Sequence, residues 1–321
     1  RDASMDQFMN TWASVYWGRG RFSIYLSALS CVILEKIDPD PNGSFPPMIT
    51  DSDTHWFTEI CKEGGSATSF EIRAKLHEEQ SAFQRIEVYA TTHFGNLMVI
   101  DGFVMLTGRD NFLYHEMMSH PTLFAHPNPE RVVIIGGGDC GTLREVLKHP
   151  GIKHALQVDI DERVTRLAEE YFPELCESNG DPRAELYFGD GIQWMKDAEP
   201  GSVDVIIVDS TDPIGPAEGL FTEAFFRDCH RALGERGLMV QQSESPLLHY
   251  KSIIQPLHRA MRAAGFADTV TLPFPQPCYP SGWWSATMAG KGGDARSFRV
   301  TDAQEKTFAT RYYNAAIHQG A

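Results

Sequence analysis

One stretch narrows the choice of fold more than any other: Val203-Asp204-Val205-Ile206-Ile207-Val208-Asp209-Ser210-Thr211-Asp212-Pro213-Ile214-Gly215-Pro216. A Val- and Ile-rich run of this kind suits a strand buried on both faces, and so a sheet covered on both sides. The run stops at Asp209, and a second carboxylate follows at Asp212. Pro213, Gly215 and Pro216 then exclude helix and ladder and force a shaped loop. Two acids on a stiff loop at a strand end suit a cation, whereas a lone Asp in that place more commonly caps a turn. The neighbouring sequence has to decide.

Four more strands are read around it: Val132–Ile135, Ala155–Val158, Glu185–Phe188 and Leu238–Gln241. Helices are expected through Leu147, over Asp161–Tyr171, briefly after Gly191, over Thr222–Leu233 and near Lys251–Ala264. The alternation predicts an α/β fold with a doubly wound, Rossmann-like sheet of the methyltransferase type, which binds ligands at the carboxyl ends of its strands. Ahead of it, Phe70–Leu76, Arg85–Tyr89 and Leu97–Ile100 alternate apolar and polar residues, with turn signals at His93–Asn96 and Asp101-Gly102. That pattern predicts a small antiparallel β domain. Tyr114–Met118 opens a helix that Pro121 is expected to interrupt or restart. The segments around Val270, Pro273–Pro280 and Trp283–Met288 predict antiparallel edge strands. The expected organisation is an extension over 1–54, disordered or non-native; the antiparallel β domain over 55–110; the Rossmann-like catalytic domain over 111–290; and a C-terminal tail over 291–321.

In the extension, Phe22–Leu34 is too short and too polar to span a bilayer, and no convincing cleavage site follows it. Asp38–Ser44 reads as a linker, residues 1–47 as an appendage, and Met48 as the native start. The formal net charge of -15 argues against nucleic acid as a partner and favours cationic substrates. Six scattered cysteines without a C-x-x-C pair suit a reducing cytoplasm and argue against a zinc site or disulfide framework.

The chemistry gathers at the strand ends. Gly136-Gly137-Gly138-Asp139-Cys140-Gly141 satisfies G-x-G-x-x-G, and Asp159 ends the next strand, placed to bond a ribose diol. Both features serve NAD and an adenosyl-sulfonium compound alike. Asp139 separates them, because a carboxylate inside the turn repels a pyrophosphate, and equally the carboxylate of S-adenosylmethionine. A nucleoside whose tail ends in an ammonium fits better; the plainer alternative is that Asp139 caps the helix. Asp139, Asp159, Asp190 and Asp209 follow four strands, with Asp212 beside the last. Such convergence needs a compensating cation. No His/Cys spacing favours a metal, so an organic polyamine is the expected one.

These motifs resemble the polyamine aminopropyltransferases, the spermidine synthases in particular. The resemblance rests on Gln80–Gln84, Asp101-Gly102, Arg109–Met117, Gly136–Asp139, Asp190-Gly191, Asp209–Pro216 and Cys278–Gly282, in the family's order from about residue 56 to 290. It implies transfer of the aminopropyl group of decarboxylated S-adenosylmethionine, a co-substrate, to putrescine, giving spermidine and methylthioadenosine with no further cofactor. It implies Asp209 as the acid/base residue. On the nucleoside side it implies Gln84, Gly136, Gly138, Asp139, Asp159, Asp190, Gly191 and Pro216. On the amine side it implies Tyr114, His115, Asp139, Asp209, Ser210, Thr211, Asp212 and Tyr279. A cytoplasmic homodimer, without membrane or nucleic-acid partners, is the expected setting. Asp159 stands where the family often has Glu, and Cys140 where it often has Gly.

The chemistry of these residues agrees with that reading. A sulfonium-bound carbon is already electrophilic, so the enzyme has to align it with a neutral amine. A primary ammonium is neutral to well under about 1% at pH 7, and a carboxylate such as Asp209 can take the proton. Trp283, with Tyr114 and Tyr279, offers an aromatic path for methylenes and cations. The rival readings are transfer to another amine, an S-adenosylmethionine-dependent methyltransferase, an NAD-dependent oxidoreductase and a silent polyamine-binding module.

Overall fold

A computed structural model describes residues 55–321, apart from Ile214, Gly293 and the side chain of Pro216. The expected extension and Met48 lie outside the described residues. The described part begins with a five-stranded antiparallel sheet in sequence order: β1 (Trp56–Cys61), β2 (Ser66–Gln80), β3 (Arg85–Thr91), β4 (Asn96–Ile100) and β5 (Phe103–Thr107). Asp101 and Gly102 join β4 to β5 with φ of 51° and 89°, as a two-residue hairpin turn requires. Strand alternation sends Ile86, Val88, Met98 and Ile100 into one buried cluster and Leu97 and Val99 into another. The two faces of this small sheet thereby pack into two different cores.

The second sheet has seven strands in the order β11-β12-β10-β9-β6-β7-β8. Its parallel part is built from β6 (Arg131–Gly136), β7 (His154–Asp159), β8 (Ala184–Phe188), β9 (Val203–Asp209) and β10 (Leu233–Gln242). Helix α1 (Asn111–Ala125) precedes β6. Between the parallel strands run α2 (Gly141–Leu147), α3 (Glu162–Tyr171), α4 (Gly191–Asp197) and α5 (Glu223–Ala232). β9 sits between β6 and β10, and Val205–Val208 are fully buried. Its side chains part by twos: Val205 and Ile207 join one core, while Ile206 and Val208 join the core on the other face. The order reverses between β6 and β9, and the cleft that binds ligands in such sheets opens at that point.

Three elements depart from the expectation. α1 runs through Pro121 without a break. Proline removes one N–H and crowds the preceding turn, costing about 3 kcal/mol. Met117, Met118, Leu123 and Phe124 are almost wholly buried, and their burial outweighs that cost. Of the two terminal strands, only β11 (Asp268–Pro275) is an edge; β12 (Trp283–Gly290) lies inside, antiparallel to both β10 and β11. Leaving α6 (Gln255–Ala263), the chain goes first to the rim and then returns inward.

The third departure is the segment expected as a tail. It carries α7 (Val300–Gln304) and α8 (Ala315–Gly320), and Tyr313 between them is 1% exposed. The Glu116 carboxylate of α1 accepts hydrogen bonds from the backbone N–H of Arg311, Tyr312 and Tyr313 at 2.7, 2.9 and 2.7 Å. Tyr313 stacks on Phe124 at 5.7 Å with the rings nearly parallel. This end of the chain is therefore part of the core behind α1. Among the described residues no helix is long and apolar enough to cross a membrane.

Candidate active site

Gly136 and Gly137 turn away from the sheet with φ of 83° and 70°, a region closed to most L-residues. A Cβ on Gly136 would lie 2.1 Å from the Asp209 carbonyl. The Gly137 N–H donates to that same carbonyl at 2.7 Å. The glycines therefore fold the turn directly against the end of β9, which brings Asp139 and Asp209 to one place. Gly138 serves a second approach: a Cβ there would lie 2.8 Å from Asp159 Oδ2.

A cavity of about 220 Å³ opens at these strand ends. Gln84, Gly136, Gly138, Asp159, Asp190 and Gly191 line one part of it. Tyr114, Asp139, Asp209, Ser210, Thr211, Asp212 and Tyr279 line the other. A recess of about 30 Å³ shares Tyr114, Asp212 and Tyr279 with the cavity and extends it toward Glu59, Gln242 and Trp284. All the expected site residues with described side chains thus face one connected space, with two exceptions: Trp283, which is exposed and lines neither the cavity nor the recess, and His115. His115 is 1% exposed and lies behind Asp139, its Nε2 3.2 Å from the carboxylate. It supports an acid from behind. The helical pattern places Tyr114 and His115 side by side but leaves open which of them faces the cavity.

Asp209 occupies the junction of the two parts. Tyr114 donates to its Oδ1 at 2.7 Å and Thr142 to its Oδ2 at 2.6 Å. Burial, and then the Asp139 charge, push its carboxyl above the ordinary range, against the lowering effect of His115 and of the two hydroxyl donors. Asp139 goes the other way. Burial by itself would raise it, but His115 and the Gly141 N–H, which donates at 2.7 Å, hold it below the ordinary range. His115 is raised in turn, Asp139 overcoming the burial that would lower it. Two neighbouring acids are driven apart in acidity, so one is suited to remain a charge and the other to handle a proton.

The cap reading holds for part of the rim. Asp190 accepts the N–H groups of Ile192 and Gln193 at the start of α4, while still lining the cavity. Asp159 accepts the Asp161 N–H at 2.8 Å, and burial pushes its carboxyl up to about 6. The Gln84 side chain donates to Asp161 at 3.0 Å, pinning the β2–β3 connection to the start of α3.

Three functional candidates escape the sequence reading. Thr142 sits in the first turn of α2, where any residue type is common. Glu59 lies on β1, some 150 residues from Asp209 in the chain, with nothing in its surroundings to mark it. Glu244 does carry a signal, since it closely follows a buried strand, β10, as the other rim acids follow theirs. It is 2% exposed and has φ of 64°. With Asp212 it forms a second acidic cluster. Burial first, then the Glu244 carboxyl, push Asp212 up to about 9. Burial pushes Glu244 and Glu59 each up to about 7.

Fold and cavity define an α/β protein that binds its ligand at the carboxyl edge of a seven-stranded sheet, under a small β domain. Comparison with known proteins carries this further. The family described as "Spermine/spermidine synthase domain" matches residues 111–298, and that described as "Spermidine synthase tetramerisation domain" matches residues 55–108. The polyamine aminopropyltransferase of Methylococcus capsulatus is 69% identical over 266 residues, covering 83% of this chain and 93% of its own length. That of Thioalkalivibrio sulfidiphilus is 66% identical over 269 residues, covering 84% and 94%. A spermidine synthase solved in complex with the transition-state analogue AdoDATO has a TM-score of 0.79 at 34% identity, over 83% of this chain and 90% of that one. The chain belongs to the polyamine aminopropyltransferase family, the spermine/spermidine synthases. It is an enzyme, and aminopropyl transfer is its class of reaction.

Proposed function

We propose that the enzyme transfers the aminopropyl group of decarboxylated S-adenosylmethionine to putrescine, releasing methylthioadenosine and spermidine. The observation that carries this is the position of Asp209, half-buried between the cavity half that holds Asp159 and the recess that holds Asp212 and Glu59. The nucleoside lies along the glycine turn, with Asp159 at its ribose and Asp190, Gly191, Gln84 and Pro216 around it. Asp139 meets the ammonium of the aminopropyl tail, a role suited to a carboxylate held ionised by His115. The diamine runs along the wall made by Tyr114 and Tyr279, whose rings pack edge to face with centroids 6.1 Å apart. Its far ammonium reaches Asp212 and Glu59, with Glu244 buried beside Asp212.

The near ammonium gives a proton to Asp209. Its nitrogen lone pair then attacks the propyl carbon, the carbon–sulfur bond breaks, and its electrons return to sulfur, leaving a neutral thioether. Asp209 has the environment for this: its raised carboxyl narrows the gap to the amine, and Tyr114 and Thr142 fix its two oxygens. Ser210 and Thr211 shape the wall beside it. Residues 55–110 act as the cover of the cavity and 111–290 as its floor. In keeping with the family description matched by the β domain, the enzyme works as a homo-oligomer, in the cytoplasm.

The acidic recess predicts a pH dependence. A diammonium favours the ionised forms of Asp212, Glu244 and Glu59, which are partly or wholly protonated near neutrality. KM for putrescine therefore falls as pH rises from about 6 to about 9, below the amine's own pKa near 10. Binding releases protons, read by calorimetry in buffers of different ionisation enthalpy. Without amine the same carboxyls bind their protons more tightly folded than unfolded. The stability they contribute is whole below about pH 4 and is lost as pH rises through about 7 to 9. A KM independent of pH, with no proton release, contradicts the assignment of the recess.

A further inference from the structure

Glu244 holds a backbone conformation that an L-residue resists, with φ of 64°, and such positions persist only where the surroundings over-determine them. Its carboxylate meets His249 Nδ1 at 3.2 Å, and its carbonyl ends a continuous row of hydroxyls that runs from the end of β10 across β12 to β11. The Ser285 hydroxyl donates to the Glu244 carbonyl at 2.7 Å. Ser243 and Ser285 hydroxyl oxygens lie 2.8 Å apart, and Thr287 donates to Ser243 at 2.9 Å. Thr271 lies 2.8 Å from Thr287, its cross-strand partner, and His258 Nε2 on α6 lies 2.8 Å from Thr271. His258 Nδ1 is 2.8 Å from the Thr269 hydroxyl. Ser243, Ser285 and Thr287 are fully buried.

Each hydroxyl has one proton, so the direction of the whole row follows from its inner end. Ser285 gives its proton to the Glu244 carbonyl and must accept from Ser243. Ser243 accepts from Thr287, and Thr287 from Thr271. Thr271 then accepts from the His258 Nε2–H, which leaves Nδ1 to accept from Thr269. A neutral imidazole satisfies every bond, and burial, which lowers the His258 pKa, favours that form. All the donors point toward Glu244. Aligned hydrogen bonds polarise one another and act as a unit. On the face of the sheet otherwise packed with Met239, Ala289, Leu257 and Met261, a row of bare hydroxyls has no value as apolar packing.

We propose that the row His258–Thr271–Thr287–Ser243–Ser285 is a positioning device that holds Glu244 against Asp212 and so sets the affinity for the far end of the amine. This rests on the reading of the acidic recess as the amine's binding end. None of the five lines the cavity or its recess, and His258 lies in a separate surface groove beside Arg259 and Arg262.

The test is steady-state kinetics of Thr287→Val and Ser285→Ala in the full chain, with melting temperatures alongside. Each is expected to raise KM for putrescine about five- to tenfold. KM for the nucleoside co-substrate and kcat at saturating amine should stay within about twofold of the parent. Breaking a row twice does no more than breaking it once, so the double variant is expected to match the more affected single one. Additive effects, an unchanged amine KM, or a loss spread over both substrates in step with the melting temperature would overturn the proposal. Thr271→Val, nearer the surface, gives the same readout should Ser285→Ala fail to fold. A parent enzyme that no diamine saturates would instead overturn the reading of the recess itself; a parent that saturates with variants unchanged overturns only the row.

Discussion

Asp209→Asn is expected to lower kcat about a thousandfold or more while the nucleoside still binds. The amide has the shape of the carboxylate but cannot take a proton from an ammonium, and almost none of the amine is neutral without that transfer. It also disturbs the site's hydrogen bonds. Tyr114 and Thr142 each donate to a different Asp209 oxygen, and an amide offers only one acceptor, so one hydroxyl must turn away. Folding should not suffer. The buried carboxyl is raised by its surroundings, so its ionisation near neutrality weighs against the folded state, and removing the charge relieves the repulsion from Asp139. Release of methylthioadenosine reports the rate, and calorimetry the nucleoside affinity. Turnover within tenfold of the parent would remove Asp209 from the proton transfer.

Glu116→Ala is expected to produce the largest loss of stability, about 3–5 kcal/mol. The substitution strips the acceptor from three backbone N–H groups at once; that of Tyr313 is buried and costs about 1–3 kcal/mol left unpaired, and the packing of Tyr313 is lost with it. For a described region of this size, that corresponds to a fall in melting temperature of roughly 10 °C. The released segment is the one whose Tyr313 packs on Phe124 and whose Arg311 lies 3.7 Å from the centre of the Phe112 ring. Limited proteolysis should therefore cut first between α7 and α8. Because Glu116 adjoins His115 and Tyr114 on α1, activity should fall with the docking of the segment, whereas Glu116→Gln, which keeps one acceptor, should be milder. A melting temperature within about 2 °C of the parent would contradict this account of the C-terminal segment.

How far the sequence can be read depends on where each feature has its cause. β9, the glycine turn and the acids after the parallel strands are written locally. An apolar run that stops at an acid needs no partner to be recognised, and the structure brings Asp139, Asp159, Asp190, Asp209 and Asp212 to one cavity. Pro121 misleads because the local cost of proline is visible in sequence, while the burial that outweighs it comes from distant elements. β12 reads like β11; only pairing shows that one is inside and the other an edge. Glu59 and Thr142 carry no local mark, since their roles arise when β1 and α2 are folded against the rim. His115 shows the remaining limit. Helical spacing puts it beside Tyr114, but only the packed structure shows that it stands behind Asp139.

The most direct test of the central claim is mass-spectrometric product analysis of the enzyme with decarboxylated S-adenosylmethionine and a panel of putrescine, cadaverine, agmatine and spermidine. Spermidine as the dominant product, with one methylthioadenosine for each, is the predicted result. Preference for a different amine would move the acceptor and leave the transfer standing. No methylthioadenosine with any amine, or methyl transfer from S-adenosylmethionine in its place, would contradict the account.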